Sequence, residues 1–267
     1  MRRTTPARRR LAGACLAATL ALGACGGDDA DPDARPTPRP TTGTAAATPT
    51  TEAPSRTPAT PTGPTSPAAE RVRLLGIDAS HHQGPIDWRA VADDGYSFAY
   101  LKATEGTSFV DPAFAAHRGE ALDLGLSVGG YHYFQLCTPG VAQAEHFVSV
   151  LGDVSPGNHL PPALDLELAG SCATPPPRAT LLAEVEAFLD HVEERTGREP
   201  VVYLYPELEA RFGFARELAD HRQWVRSLGS RPQREFWVWQ QSDSGAVRGI
   251  QGPVDINVMW QRRVAGR

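Results

Sequence analysis

Beyond about residue 71, short apolar runs alternate with longer segments in which apolar residues recur every three or four positions. Runs of the first kind suit buried strands, and segments of the second kind suit helices with one apolar face. Their alternation is the pattern of a parallel α/β sheet. Strands are expected at Leu74–Asp78, Phe98–Ala103, Ser127–Tyr133, Ala163–Glu167 and Val201–Tyr205. The clearest helix places Leu181, Leu182, Val185, Phe188, Leu189 and Val192 on one face and ends before Gly197. Asp111-Pro112 and Thr138-Pro139 each read as a capping side chain followed by a proline in the first helical position. A last helix is expected over about Pro206–Ala219, and then only strand-like runs remain, at Gln223–Val225, Phe236–Gln240 and Asp255–Val258. The folded part therefore reads as five β/α units followed by three strands, without internal repeat. No glycine-rich phosphate loop follows the first strand, where Asp78-Ala-Ser-His-His82 stands instead, and this favours a closed barrel over an open nucleotide-binding sheet.

The first 70 residues follow other rules. Arg2, Arg3, Arg8, Arg9 and Arg10 precede a 14-residue apolar run, Leu11 to Ala24. That run is shorter than the roughly 20 residues a membrane-spanning helix needs, and the whole reads as an export signal over residues 1–24. Leu22-Gly23-Ala24-Cys25 resembles the lipobox of bacterial lipoproteins, which implies cleavage before Cys25 and a lipid on its thiol. An ordinary signal peptide with a coincidental cysteine is the alternative. Between Gly26 and Glu70 there is no Val, Ile, Leu, Met, Phe, Tyr or Trp, while ten of the 24 prolines fall there. Such a segment buries too little to offset the entropy of ordering. Residues 25–70 are thus expected to be a spacer biased towards polyproline II, with a reach of roughly 100 Å. Residues 71–267 form the expected catalytic domain.

That domain carries 18 Lys and Arg against 25 Asp and Glu, a net −7. An acidic surface without basic runs argues against nucleic acid as partner. Polar residues gather where the expected strands end: Asp78, then Lys102 and Glu105, then Tyr131, His132 and Tyr133, then Asp165 and Glu167, then Tyr203 and Tyr205. In a parallel barrel these ends share the face that carries active sites. Asp165 and Glu167, two apart on one strand, point the same way with Cα atoms about 6.5–7 Å apart, whereas Leu164, Leu166 and Leu168 face apolar packing. Two carboxyls so close should interact, one pKa rising while the other stays low. Glycosidic cleavage needs such a pair, a proton for the leaving oxygen and a negative charge beside the developing cation. A metal or ion-pair site would use similar residues. Lys102 is the only lysine in a chain with 25 arginines, as if the flexible ammonium were needed there.

Cys137 and Cys172 remain after processing at Cys25, just beyond two neighbouring strands. In an exported protein such a pair reads as a disulfide, with free thiols or metal ligation as the alternatives. No His-Glu-x-x-His, Gly-x-Ser-x-Gly or Cys-x-x-Cys motif is present. His81, His82 and His132 match no metal-ligand spacing, and His132 reads as a cleft or packing residue.

Gly76-Ile-Asp-Ala-Ser80, Gln83-Gly-x-Ile-Asp-Trp88, Lys102-Ala-Thr-Glu-Gly106, Tyr131-His-Tyr133, Leu164-Asp-Leu-Glu167, Trp239-Gln240 and Gly252-Pro-Val-Asp-Ile-Asn257 occur in this order. Together they resemble glycoside hydrolase family 25, over nearly all of residues 74–260. The resemblance implies an irregular, TIM-like (β/α)5(β)3 barrel. It also implies lysozyme (N-acetylmuramidase) activity on the β-1,4 bond between N-acetylmuramic acid and N-acetylglucosamine. By position, Glu167 matches the general acid, Asp165 its neighbouring carboxylate, and Asp78 and Asp255 two further cleft acids. Asp165 would orient the substrate's acetamido group as nucleophile, with direct attack by water as the competing scheme. Lys102, Glu105, Tyr131, His132, Tyr203 and Trp239 are the expected substrate-binding positions. Trp224-Val-Arg-Ser-Leu228 departs from the family's Trp-Ile-Ala-x-Tyr pattern and lacks the aromatic that would close one side of the cleft, and His117 replaces a usual Asn. The expected partners are peptidoglycan strands and, through Cys25, the membrane. No cofactor, metal or nucleic acid is expected, and the chain should act as an extracytoplasmic monomer. The rival readings are a non-catalytic wall-binding lipoprotein and a glycosidase for another polysaccharide.

Overall fold

A computed structural model describes residues 71–262. The expected export signal over residues 1–24, the expected lipid site Cys25 and the expected spacer over residues 25–70 lie outside the described residues.

The described chain runs β1 (Arg71–Ala79), α1 (Trp88–Asp93), β2 (Tyr96–Glu105), β3 (Phe109–Val110), α2 (Phe114–Asp123), β4 (Ser127–Tyr133) and α3 (Gly140–Leu151). It continues as β5 (Ala163–Leu166), α4 (Arg178–Thr196), β6 (Val201–Leu204), α5 (Pro206–Phe212), β7 (Arg222–Arg226), β8 (Val238–Gly245) and β9 (Val254–Arg262). The sheet order is β1-β9-β8-β7-β6-β5-β4-β2-β3, and the β1–β2 pairing closes the first eight of these into a barrel. Seven barrel strands are parallel, while β9 runs antiparallel between β8 and β1. This is the expected five β/α units and three strands. The short hairpin strand β3, which folds back on the end of β2, was not foreseen.

Alternation along the strands divides the apolar residues into two cores. Phe98, Tyr100, Ala163, Val201, Tyr203, Trp224, Val238 and Met259 pack together inside the barrel. Ala99, Leu101, Leu164, Leu166, Val202 and Leu204, on the other strand face, pack outward against Phe147, Leu181, Val185, Phe188 and Leu189 of the helices. Glycine admits one of the interior rings: a Cβ at Gly129 would stand 2.3 Å from the Tyr100 ring. Outside the barrel, α3 and α4 meet at Gly140, where a Cβ would lie 1.8 Å from the Glu184 carbonyl oxygen.

Three helix starts or ends differ from the sequence expectation. At Asp111-Pro112 the helix begins later, at Phe114, because Asp111 is occupied elsewhere. Its Oδ1 accepts from the Ala113 amide, and its Oδ2 accepts from the His81 amide and meets His81 Nδ1 at 2.8 Å. Pro139 precedes α3 rather than opening it, without a hydrogen bond from Thr138, and Glu184 Oε2 takes the Gly140 amide instead. The last helix stops at Phe212 because Gly213 turns left-handed (φ 63°), not at Ala219.

Candidate active site

The parallel strands all finish at one end of the barrel, and antiparallel β9 begins there. A cleft of about 410 Å³ opens at that end. Asp78, Lys102, Tyr131, Tyr133, Asp165, Glu167, Tyr203, Trp224, Arg226, Gln240 and Asp255 line it, together with Ser80, His82, Tyr205 and Asp243. All four expected acids are therefore brought together from β1, β5 with the residue just after it, and β9. The antiparallel register sets Asp255 directly opposite Asp78.

Asp78 is fixed by two amides. Its Oδ2 accepts from Asn257 Nδ2 at 2.6 Å and from Gln240 Nε2 at 3.0 Å. Gln240 Oε1 in turn accepts from the Tyr203 hydroxyl at 3.0 Å, and Asn257 Oδ1 accepts from Trp224 Nε1 at 2.8 Å. Asp165 is held differently: its Oδ1 is buried and meets no hydrogen-bond partner among the described residues. A buried oxygen left unpaired carries a desolvation cost, tolerable where a ligand group supplies the missing partner.

Burial dominates the protonation of all four acids. Asp78 is pushed up to about 6, against the hydrogen bonds from Asn257 and Gln240. Glu167 rises to about 7, chiefly by loss of water, with the Arg226 guanidinium holding it back. Asp255 rises to about 8 through burial and the neighbouring Asp78. Asp165 is raised well above the ordinary carboxylate range, first by burial and then by the charges of Glu167 and Asp78. The expectation that one member of the Asp165–Glu167 pair would stay low is thus overturned. Mutual repulsion alone would split the pair, but both groups also leave water, and desolvation raises each.

Three expected binding positions do not reach the cleft. His132 is fully buried on the outer face of β4, between Phe147 and Phe188, with its ring nitrogens 2.7 Å from Thr104 Oγ1 and 3.2 Å from Gln143 Oε1. Burial drives its imidazole pKa down to about 3, so it is a neutral packing residue. Tyr131 occupies the inward position, and the next residue on a strand must point the other way. Trp239 faces outward for the same reason, since Gln240 points in. Its ring stacks against Trp260 at 4° and its Nε1 donates to the Ser227 carbonyl. Glu105 does not line the cleft; it pairs with Lys102 Nζ at 2.6 Å and accepts from Gln135 Nε2 at 2.8 Å. Lys102 itself does line the cleft, with its ammonium 4.6 Å from the Tyr133 ring centre. Trp224, Arg226, Gln240 and Asn257 are not among the expected site residues, although Trp224 and Arg226 lie in the segment that departs from the family pattern and Gln240 and Asn257 close two of the quoted motifs. Both take inward positions, Gln240 on β8 and Asn257 on β9.

The loops after β4 and β5 are tied to each other at the same end of the barrel. Cys137 and Cys172 form a disulfide, the Leu136 amide donates to Ser171 Oγ at 2.7 Å, and the Tyr133 hydroxyl donates to the Ala169 carbonyl. Among the described residues, no group of three His, Cys, Asp or Glu side chains is arranged to hold a metal ion.

The family profile of glycosyl hydrolases family 25 matches residues 77–250. Lysozyme M1 of Streptomyces globisporus is 33% identical over 201 residues, which cover 71% of this chain and 68% of that protein. The crystal structure of a bacterial lysozyme from Streptomyces coelicolor superposes with a TM-score of 0.64 at 33% identity, covering 69% of this chain and 90% of the other. A family 25 glycosyl hydrolase from Bacillus anthracis gives a TM-score of 0.64 at 28% identity, covering 70% of this chain and 88% of its own. With the profile spanning most of the barrel, and relatives that share both sequence and fold, the chain belongs to family 25 of the glycosyl hydrolases.

Proposed function

We propose that the chain is an extracytoplasmic muramidase, in which Glu167 donates the proton that releases the sugar leaving group. One observation carries this reading: Glu167 stands half-exposed at the cleft, beside the buried Asp165, with its pKa raised to about 7. A carboxylic acid still protonated near neutral pH can protonate a glycosidic oxygen that water alone protonates poorly. Relatives described as lysozyme M1 and as N,O-diacetylmuramidases support peptidoglycan as the substrate.

In this scheme the Glu167 proton passes to the glycosidic oxygen as the C1–O bond breaks, leaving Glu167 as a carboxylate. That carboxylate then takes a proton from the water that completes hydrolysis. The unpaired Asp165 Oδ1 is free to accept the N–H of the 2-acetamido group and turn its carbonyl oxygen towards C1. Asp78, clamped by Gln240 and Asn257, sets the charge of the cleft floor, and Asp255 shares its proton with Asp78. Tyr131, Tyr203 and Trp224 offer aromatic surface to the pyranose rings. The lipobox-like Leu22-Gly23-Ala24-Cys25 and the proline-rich segment after it favour a membrane-tethered enzyme working in the wall.

Digestion of purified peptidoglycan, followed by identification of the new reducing-end sugar, tests the assignment. Muramic acid at the new ends is the expected result. Glucosamine ends, or none, would overturn it.

A further inference from the structure

Five acids face the cleft, Asp78, Asp165, Glu167, Asp243 and Asp255, against two cations, Lys102 and Arg226. A neutral glycan needs no cation there, whereas the carboxylate of an anionic one leaves water more readily where a cation receives its charge. Lys102 is already committed: its side chain is only 10% exposed, its ammonium meets Glu105 at 2.6 Å, and it lies over the rings of Tyr133 and Phe109. Arg226 is placed otherwise. It ends β7 on the cleft wall, at the strand where the chain departs from the family pattern, and its guanidinium carbon lies 5.0 Å from the Tyr205 ring centre. Only its Nη2 hydrogen-bonds to protein among the described residues, to Oδ2 of Asp243, an exposed residue at the cleft rim. Nη2 gives one of its two hydrogens to this single contact and Nε and Nη1 give none, so one of the fork's two edges (Nε with Nη2, or Nη1 with Nη2) remains open to a carboxylate, which matches it with two parallel hydrogen bonds.

We infer that Arg226 is a substrate-binding residue that recognises a carboxylate of the glycan, with Asp243 holding the guanidinium in place. The inference rests on the muramidase reading. Two sources offer this chemistry: the lactyl carboxylate of a peptide-free muramyl unit, and the carboxylates of a stem peptide that has capped the lactyl group as an amide. Asp243 makes one contact from an exposed position, so its like charge opposes the incoming carboxylate only weakly, and Arg226 stays half-buried against Tyr205.

Binding is measured in the Glu167→Gln background, which prevents turnover, at low salt and with three ligands of equal length. These are a neutral chito-oligosaccharide, a peptide-free muramyl glycan, and a muramyl glycan bearing stem peptides. Arg226→Ala is expected to weaken at least one anionic ligand by about tenfold or more, the scale of a lost charged hydrogen bond. It should leave the chito-oligosaccharide within about twofold, which also reports that the variant is folded. Arg226→Lys should recover part of the loss, and Asp243→Asn should tighten the same anionic ligand. The ligand that weakens identifies the source of the carboxylate. Equal weakening of all three ligands, or no weakening of either anionic one, overturns the inference. Failure of the muramidase reading itself is separate, and appears as absence of muramic-acid ends from the Glu167-intact enzyme.

Discussion

Glu167 carries a proton that water would remove from an ordinary glutamate at neutral pH, and this has a cost as well as a use. An unfolded chain releases these side-chain protons near pH 4. The folded chain keeps them to about 6 at Asp78, about 7 at Glu167 and about 8 at Asp255. Between about pH 4 and 8 the folded form therefore binds more protons than the unfolded form, and stability falls as pH rises through that window. Glu167→Gln removes one such group, so its melting temperature should exceed that of wild type at pH 8 by about 3 °C or more. The two should converge at about pH 3, below the range in which either the folded or the unfolded chain releases the Glu167 proton. Equal melting temperatures at both pH values would contradict the raised pKa. At Asp165 the expectation concerns stereochemistry. If its free oxygen orients the acetamido group, the first sugar released keeps the β configuration, as read by NMR before mutarotation. An inverted product would remove that role from Asp165 and leave Glu167 untouched.

At the level of strands and helices, much was legible because apolar periodicity is set by burial. Every barrel strand was located, and Asp165 and Glu167 were assigned one face by the two-residue repeat. That same repeat excludes His132 once Tyr131 points inward. The sequence leaves open which of the two does so, because both are bulky, polar and adjacent. Trp239 and Gln240 pose the same ambiguity, which is resolved where Gln240 turns inward to bond Asp78. The helix starts were less legible, since Asp111 is used by His81, a residue 30 positions away. Two consequences belong to this scale. Gly140→Ala should cost about 2–3 kcal/mol in thermal or denaturant unfolding, because a methyl has no room against Glu184 and the helices must part. Unchanged stability would contradict the close approach of α3 and α4. The Cys137–Cys172 bridge spans 35 residues, so replacing both cysteines by alanine should cost about 2–4 kcal/mol. Titration of two free thiols in the oxidised, exported protein would contradict the bridge.

For the whole molecule, barrel closure does what no single strand could. Asp78 and Asp255 lie 177 positions apart in sequence, yet the β1–β9 register sets them face to face. The family motifs identified both acids. The amide pair that clamps Asp78 was not foreseen, because Gln240 and Asn257 act only after the ends of the sheet have met. The barrel contains the whole proposed site, so removing most of residues 26–70 should leave turnover of soluble glycan within about twofold. Loss of that activity would contradict a spacer role for the segment.

The most direct test of Glu167 as proton donor is the initial rate of reducing-end release from purified peptidoglycan, followed across pH for wild type and Glu167→Gln. The wild-type rate should fall as pH rises through about 7, as Glu167 loses its proton. Glu167→Gln should be slower by about 100-fold or more and lack that descending limb. A Glu167→Gln enzyme that matches wild type in rate and pH profile would contradict the assignment.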